Sequence, residues 1–198
     1  MVEIKNVQVY GLEKSFKVSG YPMSIGDPDD IPEQSMEDML KRAKTLGSAI
    51  SGSGHDNFLK GIIVQFDIKY PQYWTPEAQR YHWFEIVSSQ SKMHRLMKVG
   101  TRDDFFNMFN KYVDTSVIEN VKTYIDMYNK EPSYFLFMKA LSNLPMGYEL
   151  WEGITTNYLQ LKTMYLQRKN HKLKEDWGAF IKMCEELPMF LELTNVKG

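Results

Sequence analysis

Ile62, Val64, Phe66, Ile68 and Tyr70 alternate strictly with Ile63, Gln65, Asp67 and Lys69. A period of two is the signature of a strand with one buried face. Tyr70-Pro71 closes it, because proline has no amide hydrogen for the ladder. Such a strand needs partners, so the chain must build a sheet. Most of the remaining apolar spacing is helical. The sheet is therefore small and the domain helix-rich, an α+β fold.

Residues 1–10 alternate loosely and predict a short strand. Tyr21 to Gln34 (YPMSIGDPDDIPEQ) is rich in Pro, Asp and Gly and reads as a loop, so one domain over 1–198 with a loop at about 20–34 is expected. Ser35-Met36-Glu37-Asp38 resembles a capping box, and the spacing of Met36, Met39, Leu40 and Ala43 predicts a helix to Leu46. Ser51 to Gly54 is a flexible turn. Thr75-Pro76-Glu77 predicts a helix start, with Thr75 as the cap and the helix reaching Ile86. Ser88 to Ser91 breaks the pattern, which resumes to Met97. Val117, Val121, Tyr124, Ile125 and Tyr128 predict another helix, stopped at Glu131-Pro132. A shorter one covers Tyr134 to Leu141 and ends at Leu144-Pro145. Ile154, Tyr158, Leu161 and Tyr165 predict a long helix, and Trp177, Phe180 and Ile181 a last one.

Composition narrows the function classes. The 198 residues carry 24 Lys+Arg against 25 Asp+Glu, a net charge of −1. A protein held to duplex nucleic acid by phosphate contacts is more basic than this, which argues against nucleic acid as partner. The single cysteine, Cys184, excludes an internal disulfide framework and a cysteine-based zinc site, and its helical setting reads as buried. The N-terminal MVEIKNVQVYG has no long apolar run, and no stretch approaches the ~18 apolar residues of a membrane span. A cytoplasmic protein without membrane association is expected. No P-loop, Rossmann glycine pattern or Ser-His-Asp order is present.

Several clusters carry chemistry. His55, Asp56, His82, Glu85 and His94 are of metal-ligating type, and His82 and Glu85 share a face if helical. Nothing in their spacing brings three together, so no metal site is expected. Gln79, Arg80, His82, Ser88, Ser89, Gln90, Ser91, Lys92, His94 and Arg95 form a polar stretch. Its cations and hydroxyls can hold a phosphate beside a helix N-terminus; they equally make a polar helix face, and both readings stay open. Arg168, Lys169, His171, Lys172 and Lys174, followed by Glu175 and Asp176, read as a solvated junction between two helices.

Three stretches acquire meaning in their shared order. They are GHDNFLKGIIVQFDIKYP (54–71), EAQRYHWFEIVSSQSK (77–92) and LPMGYELWEGITTNYLQLKTMYLQRKNH (144–171). Together they resemble the flavin-dependent thymidylate synthases. That family has a Gly-His-Glu ahead of a Pro-terminated strand. Its signature is Arg-His-Arg-x-x-Ser followed by Asn-Glu-x-Ser-x-Arg-Tyr. A Leu-Pro follows, then an Asn, then an Arg eleven residues on, here Leu144-Pro145, Asn157 and Arg168. The resemblance covers roughly residues 36 to 185. It implies a small antiparallel or mixed sheet flanked by long helices.

The resemblance also implies roles. His55, Arg80, His82 and Asn157 fall at cofactor-side positions, with FAD as cofactor. Arg80, Ser88, Gln90, Lys92, Arg95, Trp151 and Arg168 fall on the substrate side, for a pyrimidine deoxynucleotide such as dUMP. Arg168, with Ser89 or Ser91, is placed at the catalytic position. NADPH and methylenetetrahydrofolate are the implied co-substrates, and a homotetramer the implied assembly. The signature departs at several places. Tyr81 and His82 stand for His and Arg, and Glu85 for a serine. Ser88 stands for Glu, Gln90 for a serine that a one-residue slip gives to Ser89 or Ser91, and Lys92 for an arginine. Trp151 and Leu159 stand for arginines. Trp and Leu cannot make a bidentate charged bond to phosphate. His82, Lys92, His94 and Arg95 are the available substitutes, and Tyr81, Trp83 and Trp151 add rings that stack. Two expectations follow: a thymidylate synthase-like enzyme, or a nucleotide-binding protein of the same fold that sequesters or senses its ligand.

Overall fold

The computed structural model describes residues 1–29 and 34–197. Strand β1 (Glu3–Tyr10) leads to helix α1 (Leu12–Val18) and then α2 (Met36–Gly47). A 3-10 segment, His55–Gly61, feeds β2 (Ile63–Pro71), and another, Gln72–Trp74, feeds α3 (Thr75–Ala78). β3 (Glu85–Ser89), α4 (Lys92–Val99), α5 (Thr115–Lys130) and α6 (Tyr134–Ser142) follow. The chain closes with β4 (Glu149–Asn157), α7 (Tyr158–Arg168), α8 (Lys174–Glu186) and α9 (Phe190–Thr194). The sheet order is β1-β2-β4-β3 and every pairing is antiparallel.

β2 sits where its alternation requires. Val64, Phe66, Ile68 and Tyr70 are buried on one face, while Gln65 is exposed on the other. That inner face packs on α7, α8 and α9 through Tyr158, Leu161, Trp177, Phe180 and Phe190. Trp74 lies between Tyr70 and Trp177, with ring centroids at 4.8 and 4.6 Å. A second apolar cluster joins Leu96, Phe105, Val121, Ile125 and Ala140 of the α4–α6 stretch to Tyr148, just ahead of β4. β1 slips register between Lys5 and Gln8, where Asn6 adopts φ 54. Asparagine accepts that left-handed backbone more readily than most residues. The predicted loop at 20–34 is a 3-10 turn, Tyr21–Met23, followed by irregular chain; residues 30–33 of it lie outside the described residues. Ser35 caps α2 as expected, its Oγ accepting from Asp38 N at 3.1 Å.

Two helices were expected where strands form. The helix from Thr75 ends at Ala78; Trp74 is its cap, and Thr75 is its first residue. The chain then extends into β3, whose Ile86 and Ser88 pair with Ile154 and Gly153 of β4. Tertiary pairing of a β-branched segment overrides the helix start. His82 and Glu85 therefore share no helix face. Ile154 belongs to β4, not to the helix that carries Tyr158, Leu161 and Tyr165. The helical spacing runs by coincidence across a strand-to-helix junction, an ambiguity inherent in short apolar runs. Among the described residues, no helix is long and apolar enough to cross a membrane.

Candidate functional site

Ser88, Gln90, Lys92 and Arg95, four of the substrate-side positions, fall where β3 meets α4. Ser88 and Ser89 end the strand, and Ser91 caps α4 by accepting from His94 N at 3.3 Å. So the serine-rich break is a strand end plus a helix cap, not a gap between two helices. Gln90 is locked to β4: its amide donates to Trp151 O at 3.0 Å, and its Oε1 accepts from Trp151 N at 3.3 Å. Lys92 Nζ donates to Gln72 Oε1 at 2.6 Å. Arg95 lies one turn along the same helix face. Arg95 Nη1 and Gln72 Nε2 are buried donors without a partner in the described structure. Unpaired buried donors are costly, and Gln72 Nε2 belongs to the amide whose oxygen holds Lys92 Nζ, while Arg95 follows Lys92 on the same helix face. Gln72 carries no signal of this in the sequence.

Trp151 lines a cleft of about 590 Å³ with Lys5, Asn6, Asp67, Ser88, Ser89 and Gln90. Lys5 Nζ and Lys69 Nζ lie 5.0 and 5.6 Å from its ring centroid. Both lysines also pair with Glu3, whose carboxyl they hold below its usual range. These cations were missed because they come from β1 and β2. On the inner face, Tyr70 donates to Glu152, and burial pushes that carboxyl up.

A second cleft, about 510 Å³, brings Arg80, His82 and Arg168 together with Tyr81, Gln160, Thr163 and Gln167. Arg80 and His82 are exposed. Arg168 is not part of a solvated run. Its Nε donates to Tyr81 Oη at 2.7 Å, its Nη1 to Glu77 Oε2 at 3.1 Å, and its guanidinium lies 4.6 Å from the Trp177 ring. His171 also turns inward, 3.4 Å from Glu77, whereas Lys172 and Lys174 remain exposed.

The remaining positions fall elsewhere. His55 is exposed at the start of its 3-10 segment, and its neighbour Asp56 is buried against Lys162. Asn157 is buried and caps α7, accepting from Gln160 N at 2.9 Å. Leu159 packs against the main core. The first cleft is lined by the end of β3, and the second by the segment ahead of that strand together with α7. One chain thus holds Ser88, Ser89, Gln90 and Trp151 in one cleft and Arg80, His82 and Arg168 in another. Among the described residues, no three His, Cys, Asp or Glu side chains converge as a metal site. Cys184 is buried, and burial pushes its thiol up.

No family model and no curated protein sequence matches the chain. Solved structures do match in fold. A Helicobacter pylori thymidylate synthase X (ThyX) with FAD and dUMP aligns at TM-score 0.73 and 13% identity, covering 98% of this chain and 97% of that one. Another structure of that enzyme, also with FAD and dUMP, aligns at TM-score 0.67 and 14% identity, covering 98% and 96%. The UMP/dUMP methylase PolB from Streptomyces cacaoi, bound with 5-Br dUMP, aligns at 0.64 and 12%, covering 99% and 92%. At these identities the likeness establishes the fold, which spans nearly the whole chain.

Proposed function

We propose that the chain binds a pyrimidine deoxynucleotide of the dUMP type together with FAD. It would transfer a one-carbon unit from methylenetetrahydrofolate, with NADPH reducing the flavin. The observation that carries the nucleotide reading is a pair of buried donors without a partner among the described residues: Gln72 Nε2, on the amide that holds Lys92 Nζ, and Arg95 Nη1, one turn further along α4. A phosphate satisfies all three with charge-assisted bonds. In this reading Lys92 and Arg95 take the phosphate, and Ser89 or Ser91 lies toward the ring. Arg168 donates to the ring carbonyls, drawing electron density toward them in the transition state. FAD is assigned to the second cleft through its diphosphate, since Arg80 supplies an exposed cation there and His82 an exposed imidazole. His55 and Asn157 remain in this reading only as the further cofactor-side positions that the resemblance implies. When bound, the flavin supplies the hydride chemistry. The two clefts of one chain lie apart, so a second copy completes the site, in keeping with a homotetramer.

A second reading is supported by the side chains already spent on structure. Leu159 is in the core, Gln90 is bonded to Trp151, and Asn157 caps α7. A nucleotide-binding protein of the same fold, without flavin chemistry, is consistent with those commitments.

The deciding experiment is dUMP titration by calorimetry with a visible absorbance spectrum of the desalted protein after incubation with FAD. Stoichiometric flavin and dUMP binding, followed by tritium release from C5 of dUMP with NADPH and methylenetetrahydrofolate, supports the enzyme. dUMP binding without retained flavin moves the assignment to the second reading. Absence of dUMP binding overturns both as stated for this nucleotide.

A further inference from the structure

Glu77 is the meeting point of the groups around Arg168. Its Oε2 accepts from Arg168 Nη1 at 3.1 Å and from Trp177 Nε1 at 2.8 Å, and lies 3.4 Å from His171 Nε2. The donors come from the last residue of α7, from α8 and from the turn between them, while the acceptor sits in α3. Trp177 is fully buried, so its indole is a fixed wall. Arg168 lies against that wall with Nε on Tyr81 and Nη1 on Glu77. Nη2 has no partner among the described residues, and Arg168 lines the cleft of Arg80 and His82.

Three constraints on one planar group leave little freedom. A ring face, an Nε contact and an Nη1 contact together fix both the plane of the guanidinium and its rotation within that plane. Of the three, only Glu77 supplies opposite charge. An arginine with no such partner samples many rotamers and pays to order itself when ligand binds. An arginine that is already ordered presents its donors at fixed geometry.

We propose that Glu77 is a positioning residue for Arg168: it holds the guanidinium so that the free Nη2 edge faces the cleft and donates to a carbonyl oxygen of a pyrimidine ring. This rests on the pyrimidine role of Arg168 given above. Glu77 itself touches no ligand. Its effect falls on recognition of the ring and not on the sugar or phosphate.

The test uses the full-length protein and Glu77→Gln, which keeps an acceptor for Trp177 and removes the counter-charge. Phenylglyoxal labelling of Arg168, read by peptide mass spectrometry without nucleotide, is expected to run several-fold faster in the variant. An unchanged rate overturns the proposal. dUMP and deoxyribose 5-phosphate are then titrated into both proteins by calorimetry. The expected result is a Kd for dUMP about tenfold weaker in the variant, with deoxyribose 5-phosphate unchanged. Wild-type preference for dUMP that persists in Glu77→Gln overturns the positioning role and leaves the pyrimidine reading standing. Equal affinity of the wild type for the two compounds removes the pyrimidine reading itself. If Glu77→Gln fails to fold, Glu77→Asp, which keeps the charge and shortens its reach, is scored on the same readouts.

Discussion

Lys162 Nζ lies 2.8 Å from Asp56 Oδ2, with side-chain exposures of 3% and 2%. The same ammonium donates to Gly47 O at 2.9 Å and Ala49 O at 2.7 Å. Lysine has three donors, and all are used. One side chain of α7 thereby ties down the C-terminal end of α2 and the segment that presents His55. Carbonyls at a helix end suit a cation. Lys162→Met strands a buried carboxylate, and loss of one partner of such a pair costs about 3–5 kcal/mol. Urea unfolding measures this, and a loss under ~1 kcal/mol would show that the pair is dispensable.

Two glycine substitutions should act with opposite sign. A Cβ on Gly47 would meet Leu193 O at 2.1 Å, so α2 and α9 must separate in Gly47→Ala. Overpacking of this kind costs about 1–3 kcal/mol. Gly178, inside α8, has open space around its Cβ position. Gly178→Ala should stabilise by about 0.4–1 kcal/mol through lost freedom of the unfolded chain. Thermal melts of both variants decide it; a Gly47→Ala that melts no lower than wild type refutes the close approach, and a destabilised Gly178→Ala refutes the open space there.

Arg95→Met separates stability from binding. It removes a buried donor with no partner among the described residues, so the ligand-free protein should melt no lower than wild type. Phosphate affinity should fall at least tenfold, about 1.4 kcal/mol. Paired melting and calorimetry read this, and a destabilised variant with intact phosphate binding contradicts the anion cradle.

Glu152 gives a pH signature. Burial raises its carboxyl above the ordinary 4.5, against the smaller opposing effect of Tyr70. The folded state therefore holds the proton to higher pH than the unfolded chain does. The stability linked to that proton is complete below 4.5 and is lost as pH rises through the folded value. Glu152→Gln has no such loss. Its melting temperature should gain on wild type as pH climbs from below 4.5 toward neutrality, and a gap that stays constant refutes the shift.

The parts of the fold that the residues announce are those with local causes. β2 has its alternation, α2 its Ser35 cap, and α5 and α8 their apolar stripes. β3 announces nothing, because all five of its residues are exposed and no face is marked. β4 is hidden by the matching spacing of Ile154 and Tyr158, although Asn157 between them is a good helix cap. In the site, Lys92 and Arg95 are legible as cations following a cap. Their companion Gln72 is not, nor are the lysines at Trp151 or the grip of Glu77 on Arg168. Those contacts cross between distant segments, and no local pattern encodes them.

The strand order also sets a timetable. β3 touches the sheet only through β4, and the whole α4–α6 stretch is made between them. A nascent chain that has just emerged past Lys92 already carries Arg80, Ser89 and Gln90, yet has no neighbour on which to lay β3. Pairings that must wait for distant chain form slowly. The cleft that β3 helps to line therefore forms only after translation has passed β4, and a stalled product carries Arg80, Ser89 and Gln90 without the strand that holds β3.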